Sequence, residues 1–404
     1  MSEKKGFWPR VYQVSALLIV VVFLAFAGAN LYEQIPLLHF ASDTAWDTFS
    51  MIDKVNASTN GRVLGFGTFL STHGEILNLL GKRESGGFES VKDADGRLVA
   101  ADFLPYNAND YSSFGIALND ISEIVQEHGG HLLFVNPIDR SIGAESGDSG
   151  FPLENHKYRY DAIDFFLQGF EIPYLNLNDM LAAETDNPQS LRYRTDSRWT
   201  IETSFDAFGK IVTAVDEIAG VNLDPEGQYT DLSNYQQTTY EQQFLGNLGR
   251  RTGAPFGGYD DFTLIVPDFP TSLTMTTNYF DREAITSGDF SQVLLMDTYL
   301  EAEDEYDRAM YATYLGGNAA QRIIKNELNP YGPKVLVIGD SYLAPIVAFL
   351  TSGSGEVHYL WQYENPVVED LSAYLAEEAF DVVLIGMSSN MMGEGGFGFL
   401  NNLK

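Results

Sequence analysis

The sequence predicts an α/β domain built on a parallel sheet with helices on both faces, set behind one apolar N-terminal helix. Three observations lead there. From about residue 110, short apolar β-branched runs alternate with amphipathic helical patterns, the grammar of parallel strands joined by crossover helices. Residues 222–330 interrupt that rhythm with short strand-like pieces rich in Tyr, Thr, Asn and Gly, which reads as an inserted mixed lobe over the sheet edge. At the N-terminus, Lys4, Lys5 and Arg10 precede the uncharged run VYQVSALLIVVVFLAFAGA, residues 11–29, long enough to span a hydrocarbon core.

The next basic residue after that run is Lys54, so the charge asymmetry puts the N-terminus inside and the remainder outside. Ala25-Phe26-Ala27 also fits a signal-peptide cleavage pattern, so a retained anchor and a removed signal both stand. Either way the body of the protein is expected to be extracytoplasmic, attached to the cell membrane if the helix is kept. The expected division is a cytoplasmic tail at 1–10, an anchor at 11–30, a membrane-proximal segment at 31–85 and the α/β domain at 86–404.

With 404 residues, 45% of them hydrophobic, the chain can bury a large core. It has no cysteine, which excludes disulfides, thiolate metal sites and a cysteine nucleophile. The formal net charge of −32 opposes nucleic acid and anionic headgroups alike. Solubility in a salty or acidic exterior is the plain account of it, with binding of calcium or wall cations as the alternative. The DADG stretch at 93–96 lacks the rest of a calcium loop and, between FESVK and RLVAA, reads as a hairpin turn. The acidic run EAEDEYD at 301–307 reads as a solvated helical face. No metal and no cofactor are implied.

Along the domain, SSFGIALNDISEIVQEHGG has helical spacing and stops at Gly129-Gly130, and HLLFVNP follows as a buried strand. YDAIDFFLQGF is a helix and IPYLNLN the next strand. TIETSFDAFGKIVTAVDEIAG is an amphipathic helix. The closing core runs KVLVIGDS (strand), PIVAFLTS (helix), EVHYLW (strand), VVEDLSAYLAEEAF (helix) and DVVLIGMSSN (strand).

Ligands of open parallel sheets sit outside the carboxyl ends of the strands. Four loops meet that description: NPIDR, opening at Asn136; GDSY, comprising Gly339, Asp340, Ser341 and Tyr342; WQYEN at 361–365; and GMSSN at 386–390. Ser341 is the nucleophile candidate, because a tight turn between a buried strand and a helix presents its hydroxyl beside N–H groups suited to an oxyanion. Gly339 permits the close backbone approach. A helix-capping serine is the plain alternative. Upstream, TDSRWT at 195–200 carries Asp196, Arg198 and Trp199 just before a helix, where a cap, a surface ion pair and a core aromatic would also account for them.

Read together, TDSRWT and GDSY resemble the DHHW family, membrane-anchored SGNH-hydrolase-like proteins related to the alginate O-acetyltransferase proteins. In that family an Asp-x-His-Trp motif precedes a strand-ending Gly-Asp-Ser. ALNDISEIVQEHGGHLLFVNP, LGNLGRRTG with DDFTLIVP, YATYLGGNAAQRIIKN, and KVLVIGDSYLAPIVAFL with FDVVLIG extend the likeness over most of the chain. The resemblance implies a three-layer SGNH-like fold, Asp196 as orienting carboxylate, Ser341 as nucleophile and Trp199 as packing support. It also implies acyl-ester chemistry on an extracytoplasmic glycan or wall polymer, with a membrane O-acyltransferase as the expected partner.

The departure is equally specific. Where the family has His-His, this chain has Ser197-Arg198, so Arg198 stands at the position of the general base. A guanidinium stays protonated and offers no acceptor, so it cannot take a proton from Ser341. It can pair bidentately with Asp196 or bind an anionic ligand group. The expectation is therefore a degenerate site, with an active enzyme using a different base as the alternative. Of the six histidines, His39 lies in the stalk, His128 and His131 at the amino end of a strand, and His358 mid-strand as a core histidine; His73 and His156 have no evident place.

A reporter fused after residue 60 is expected to be extracytoplasmic, because basic residues cluster only before the apolar run. Labelling of that site from the cytoplasmic side would overturn the topology.

Overall fold

The computed structural model describes residues 14–30, 65–100, 108–138, 156–279, 282–388 and 397–404. The chain divides into two compact units, residues 1–72 and 73–404. In the first, residues 14–30 are helical. Among the described residues no helix is long and apolar enough to cross a membrane.

The second unit is organised on an eight-stranded sheet: β1 (His131–Asn136), β2 (Tyr174–Asn176), β3 (Leu273–Asn278), β4 (Glu283–Gly288), β5 (Gln321–Asn326), β6 (Lys334–Gly339), β7 (Glu356–Trp361) and β8 (Val382–Gly386). Their spatial order is β2-β1-β8-β6-β7-β5-β3-β4. The first five in that order are parallel. The last three are antiparallel additions. The sheet is thus mixed rather than wholly parallel, which corrects the sequence reading. The reason is local: β3, β4 and β5 come from the segment read as a separate lobe, and they extend the main sheet. Leu273, Met275 and Thr277 are buried in β3 while Thr274, Thr276 and Asn278 between them are half-buried, the period-two pattern of a strand covered on one face. A second piece of that segment, Tyr235–Phe244 with Asp260–Pro267, forms its own two-stranded ribbon.

Both faces carry helices. On one face lie α1 (Ala108–Glu127), α2 (His156–Gly169) and a helix at Leu371–Glu378, where Phe114, Leu118 and Ile121 meet Ile163, Leu167, Leu371 and the strand residues Leu336 and Ile338. On the other lie α3 (Ile201–Ala219) and α4 (Ala344–Leu350), where Phe205, Phe208 and Ile211 pack on Ile346 and Phe349. Helix α3 forms where it does because its apolar residues recur at helical spacing behind a proper cap. Thr200 accepts from the Thr203 N–H at its start, and Gly220 closes it in the left-handed region at φ 62°.

The hairpin reading around DADG at 93–96 holds for its described part, which lies against residues 192–194 through Leu98 N–H on the Arg194 carbonyl and the Arg192–Asp93 ion pair. Lys92 pairs with Leu98 across a turn in which Asp93 accepts from the amides of Asp95 and Arg97. The acidic run 301–307 is a set of bends and turns, not a helix. Tyr306 within it is buried, and its hydroxyl accepts from the Ala254 N–H, a demand that a solvated helical face would not meet.

The register aligns the carboxyl ends of four strands: Gly339 faces Gly386 on one side and Trp361 on the other, and Gly386 faces Val135. Asn136, Asp340, Gln362 and Met387 therefore leave the sheet along one edge. Gly339 is a glycine for a spatial reason, since a Cβ there would lie 2.3 Å from the Gly386 carbonyl oxygen and 2.6 Å from Leu343 Cδ1. Gly339→Ala is expected to lower stability by about 1–3 kcal/mol or more through overpacking, read as a lower urea midpoint. An unchanged midpoint would mean that the strands are not packed this closely.

Candidate active site

The GDSY turn is built around a buried carboxylate. Asp340 accepts from the Tyr342 N–H (3.0 Å) and from both the backbone N–H (2.8 Å) and hydroxyl (2.7 Å) of Ser388. Burial pushes its carboxyl above the ordinary range, with the Ser388 and Tyr342 bonds and the Arg198 charge pulling the other way. Ser341 follows at the start of a single 3₁₀ turn that leads into α4, and it is half-buried. Two of the amides expected to face an oxyanion are already committed, since Tyr342 N–H donates to Asp340 Oδ1 and Leu343 N–H to the Asp340 carbonyl.

The TDSRWT segment lies against this turn. Trp199 Nε1–H donates to the Tyr342 carbonyl at 3.0 Å, and the Tyr342 hydroxyl donates back to the Ser197 carbonyl. Trp199 is fully buried, so its indole packs as well as bonds. Two further tyrosines hold the turn: Tyr311 donates to the Tyr342 carbonyl at 3.3 Å and Tyr359 to the Asp340 carbonyl at 2.7 Å. The motifs meet although Tyr342 and Ser197 are 145 positions apart.

Asp196 and Arg198 form a closed fork. Arg198 Nε and Nη2 donate to Asp196 Oδ1 and Oδ2, both at 2.7 Å, and the Arg198 amide adds a third bond at 3.0 Å. The Arg198 guanidinium also lies over the Tyr311 ring, 3.9 Å from its centre. Burial alone would raise the Asp196 carboxyl. The Arg198 charge and hydrogen bonds, with the Asn247 amide at 2.8 Å, outweigh it and hold the group below its ordinary value. Asp196 in turn raises Arg198 further, against its burial.

Among the described residues no histidine hydrogen-bonds Ser341. His73 contacts the Ser85 hydroxyl, and His128 the Ile124 carbonyl. His131 opens β1 at the far end from the site. His358 is buried in β7 between Glu356 and Tyr374, as a core histidine should be. His39 and the side chain of His156 lie outside the described residues. Asn136 ends β1 and is buried, with Nδ2 on Asn176 Oδ1 at 3.2 Å and its own Oδ1 without a partner among the described residues. It shares the edge with Ser341, but β8 runs between their strands.

Several groups at the site were not found by reading the sequence. Asn247 binds Asp196 from the middle segment, and Gly246 lets it do so, since a Cβ there would lie 2.5 Å from the Asp196 Cβ. Asp260 accepts from the amides of Arg194 and Thr195 (2.8 Å each) and from the Thr195 hydroxyl (2.6 Å), fixing the start of the motif. The spaced glycines of LGNLG carried a signal of close packing. Nothing in the sequence linked Tyr311, Tyr359, Ser388 or Asp260 to this turn.

The Asp196 value fixes the sign of an acid effect. Its folded value lies below the unfolded one of about 3.9, so the pair's stabilisation is present above that pH and lost as pH falls through the folded value. Arg198→Met removes the force holding Asp196 down and leaves a buried carboxyl that takes a proton more readily. The acid-unfolding midpoint, followed by circular dichroism, is expected to move to higher pH; a midpoint at or below that of the unaltered protein would mean that Arg198 is not what holds Asp196.

No family model and no curated protein sequence matches this chain. Among solved structures, Bacillus cereus PatB1 with a sulfonyl adduct is similar at TM-score 0.60 and 18% identity, over 77% of this chain and 97% of that one. A DHHW family protein from Eubacterium siraeum is similar at TM-score 0.55 and 19% identity, over 78% and 98%. At these identities the likeness is one of fold. The chain has a mixed α/β fold like that of these proteins, and in that sense it resembles the DHHW family.

Proposed function

We propose that this is an SGNH-type, DHHW-like extracytoplasmic protein of cell-surface polysaccharide or wall-polymer O-acetylation, anchored by its N-terminal helix, whose serine site binds glycan or scaffolds a membrane O-acyltransferase without efficient turnover. One observation carries the reading: the guanidinium of Arg198 is clamped on the carboxylate that would orient a histidine base. A serine hydrolase needs an acceptor for the hydroxyl proton, and a protonated guanidinium has none. What supports a retained frame for such chemistry is that the segment carrying Asp196 docks on the turn carrying Ser341 through Trp199 and Tyr342. The fold likeness to PatB1 and to the DHHW family protein supports the class.

A second reading is an active Ser341-dependent O-acetyltransferase or acetylesterase that uses another base. The observation in its favour is that Ser341 is half-buried rather than sealed, so its hydroxyl stays within reach of a substrate.

Arg198→His discriminates between them. The new imidazole would find Asp196 two residues back to fix its tautomer, and Ser341 to deprotonate. Hydrolysis of a small acetyl ester is expected to rise from a low level, by up to about 10²–10⁴-fold, the range of general-base catalysis, and to vanish in the Ser341→Ala background. Strong Ser341-dependent hydrolysis, or fluorophosphonate labelling of Ser341, in the unaltered protein would overturn the base-less reading in favour of the second.

A further inference from the structure

The Asp196–Arg198 fork leaves part of the arginine unused. Nε and Nη2 are spent on the carboxylate, Tyr311 covers one face of the plane, and the side chain is still 12% exposed. Nη1 makes no hydrogen bond among the described residues, and a fixed guanidinium with a free edge is a ready donor to an oxyanion.

A second arginine, Arg250, follows three residues after Asn247, whose amide binds the same carboxylate. Arg250 is half-buried; among the described residues its Nε is buried without a partner, and its Nη1 reaches only the Tyr306 carbonyl at 3.4 Å. A buried charged donor left unsatisfied is costly unless something supplies an acceptor. Burial pushes Arg250 below its ordinary value, and the Arg198 and Arg251 charges add to that, while Asp196 and Asp307 offset them. Asp196 is already engaged by Arg198, so it is not available as the acceptor that Arg250 lacks.

We infer that Arg198 and Arg250 form a receptor for a single oxyanion group of the ligand, a carboxylate or a phosphate, beside Ser341; this deepens, and rests on, the glycan-binding reading above. The overall charge sets the class further. Dense polyanions are repelled at long range, so the fit is to an isolated anionic group on an otherwise neutral chain or a short oligomer. In this arrangement the arginine that removes the base also gives the site its ligand.

The test is calorimetric titration of the full chain in detergent with trigalacturonate, glycerol 3-phosphate and neutral maltotriose. At least one anionic probe is expected to bind about 10-fold or more tighter than maltotriose, the scale of a charged hydrogen bond, and the probe that does so assigns carboxylate or phosphate. Arg250→Gln, which keeps the Asp196–Arg198 fork, is expected to weaken that probe about 10-fold without altering maltotriose binding. Arg250→Lys, which keeps the charge and loses the planar fork, should fall between and serves if the Gln variant does not fold. Equal binding of maltotriose and both anions would overturn the inference and leave glycan binding standing. Unaltered affinity in both Arg250 variants would overturn it too, as would binding of none of the three, whereas the Arg198→His esterase assay decides the parent reading separately.

Discussion

The docking of residues 195–199 onto the Ser341 turn is the constraint on which the rest of the site depends. It is made of few bonds: the Trp199 indole on the Tyr342 carbonyl, the Tyr342 hydroxyl on the Ser197 carbonyl, and Tyr311 closing on the same carbonyl. Each is buried or half-buried, so water does not compete well for the partners, and breaking one would leave a buried polar group unpaired. The sheet prepares the ground by ending β6, β7 and β8 in register, and the glycines at 339 and 386 let those ends approach.

Electrostatics then set the character of the site. Two carboxylates lie near Ser341, and their surroundings drive them apart. Asp340 is buried among neutral donors and is pushed up; Asp196 is equally buried but paired with a cation and is held down. A single residue, Arg198, decides the second case, and the same residue denies the serine an acceptor. An imidazole there would leave Asp196 as the orienter of a base, whereas the guanidinium makes it the counter-ion of a permanent charge.

The middle segment shows how much a site can owe to chain far from its motifs. Asn247, Asp260, Arg250 and Tyr311 all come from residues 222–330, which also give the sheet its antiparallel half. A segment with this double role cannot be described as a lobe added to a finished domain.

The sequence by itself determined the alternation of strands and helices, because burial on both faces demands continuous apolar strands and one-sided helices. It also determined that Ser341 lies on the turn that follows a buried strand, and that an arginine stands two residues after Asp196 where the resemblance puts a base. Only the tertiary structure decided that the sheet is mixed, since a short strand reads the same whether it pairs parallel or antiparallel. It alone decided that Arg198 turns onto Asp196 and not outward, and that Tyr311, Tyr359, Ser388 and Asp260 hold the two motifs. These contacts join residues far apart in the chain, and their side chains look no different in sequence from any other tyrosine, serine or aspartate. What makes them matter is which buried carbonyl, amide or carboxylate they face, and that is fixed only when the chain is folded.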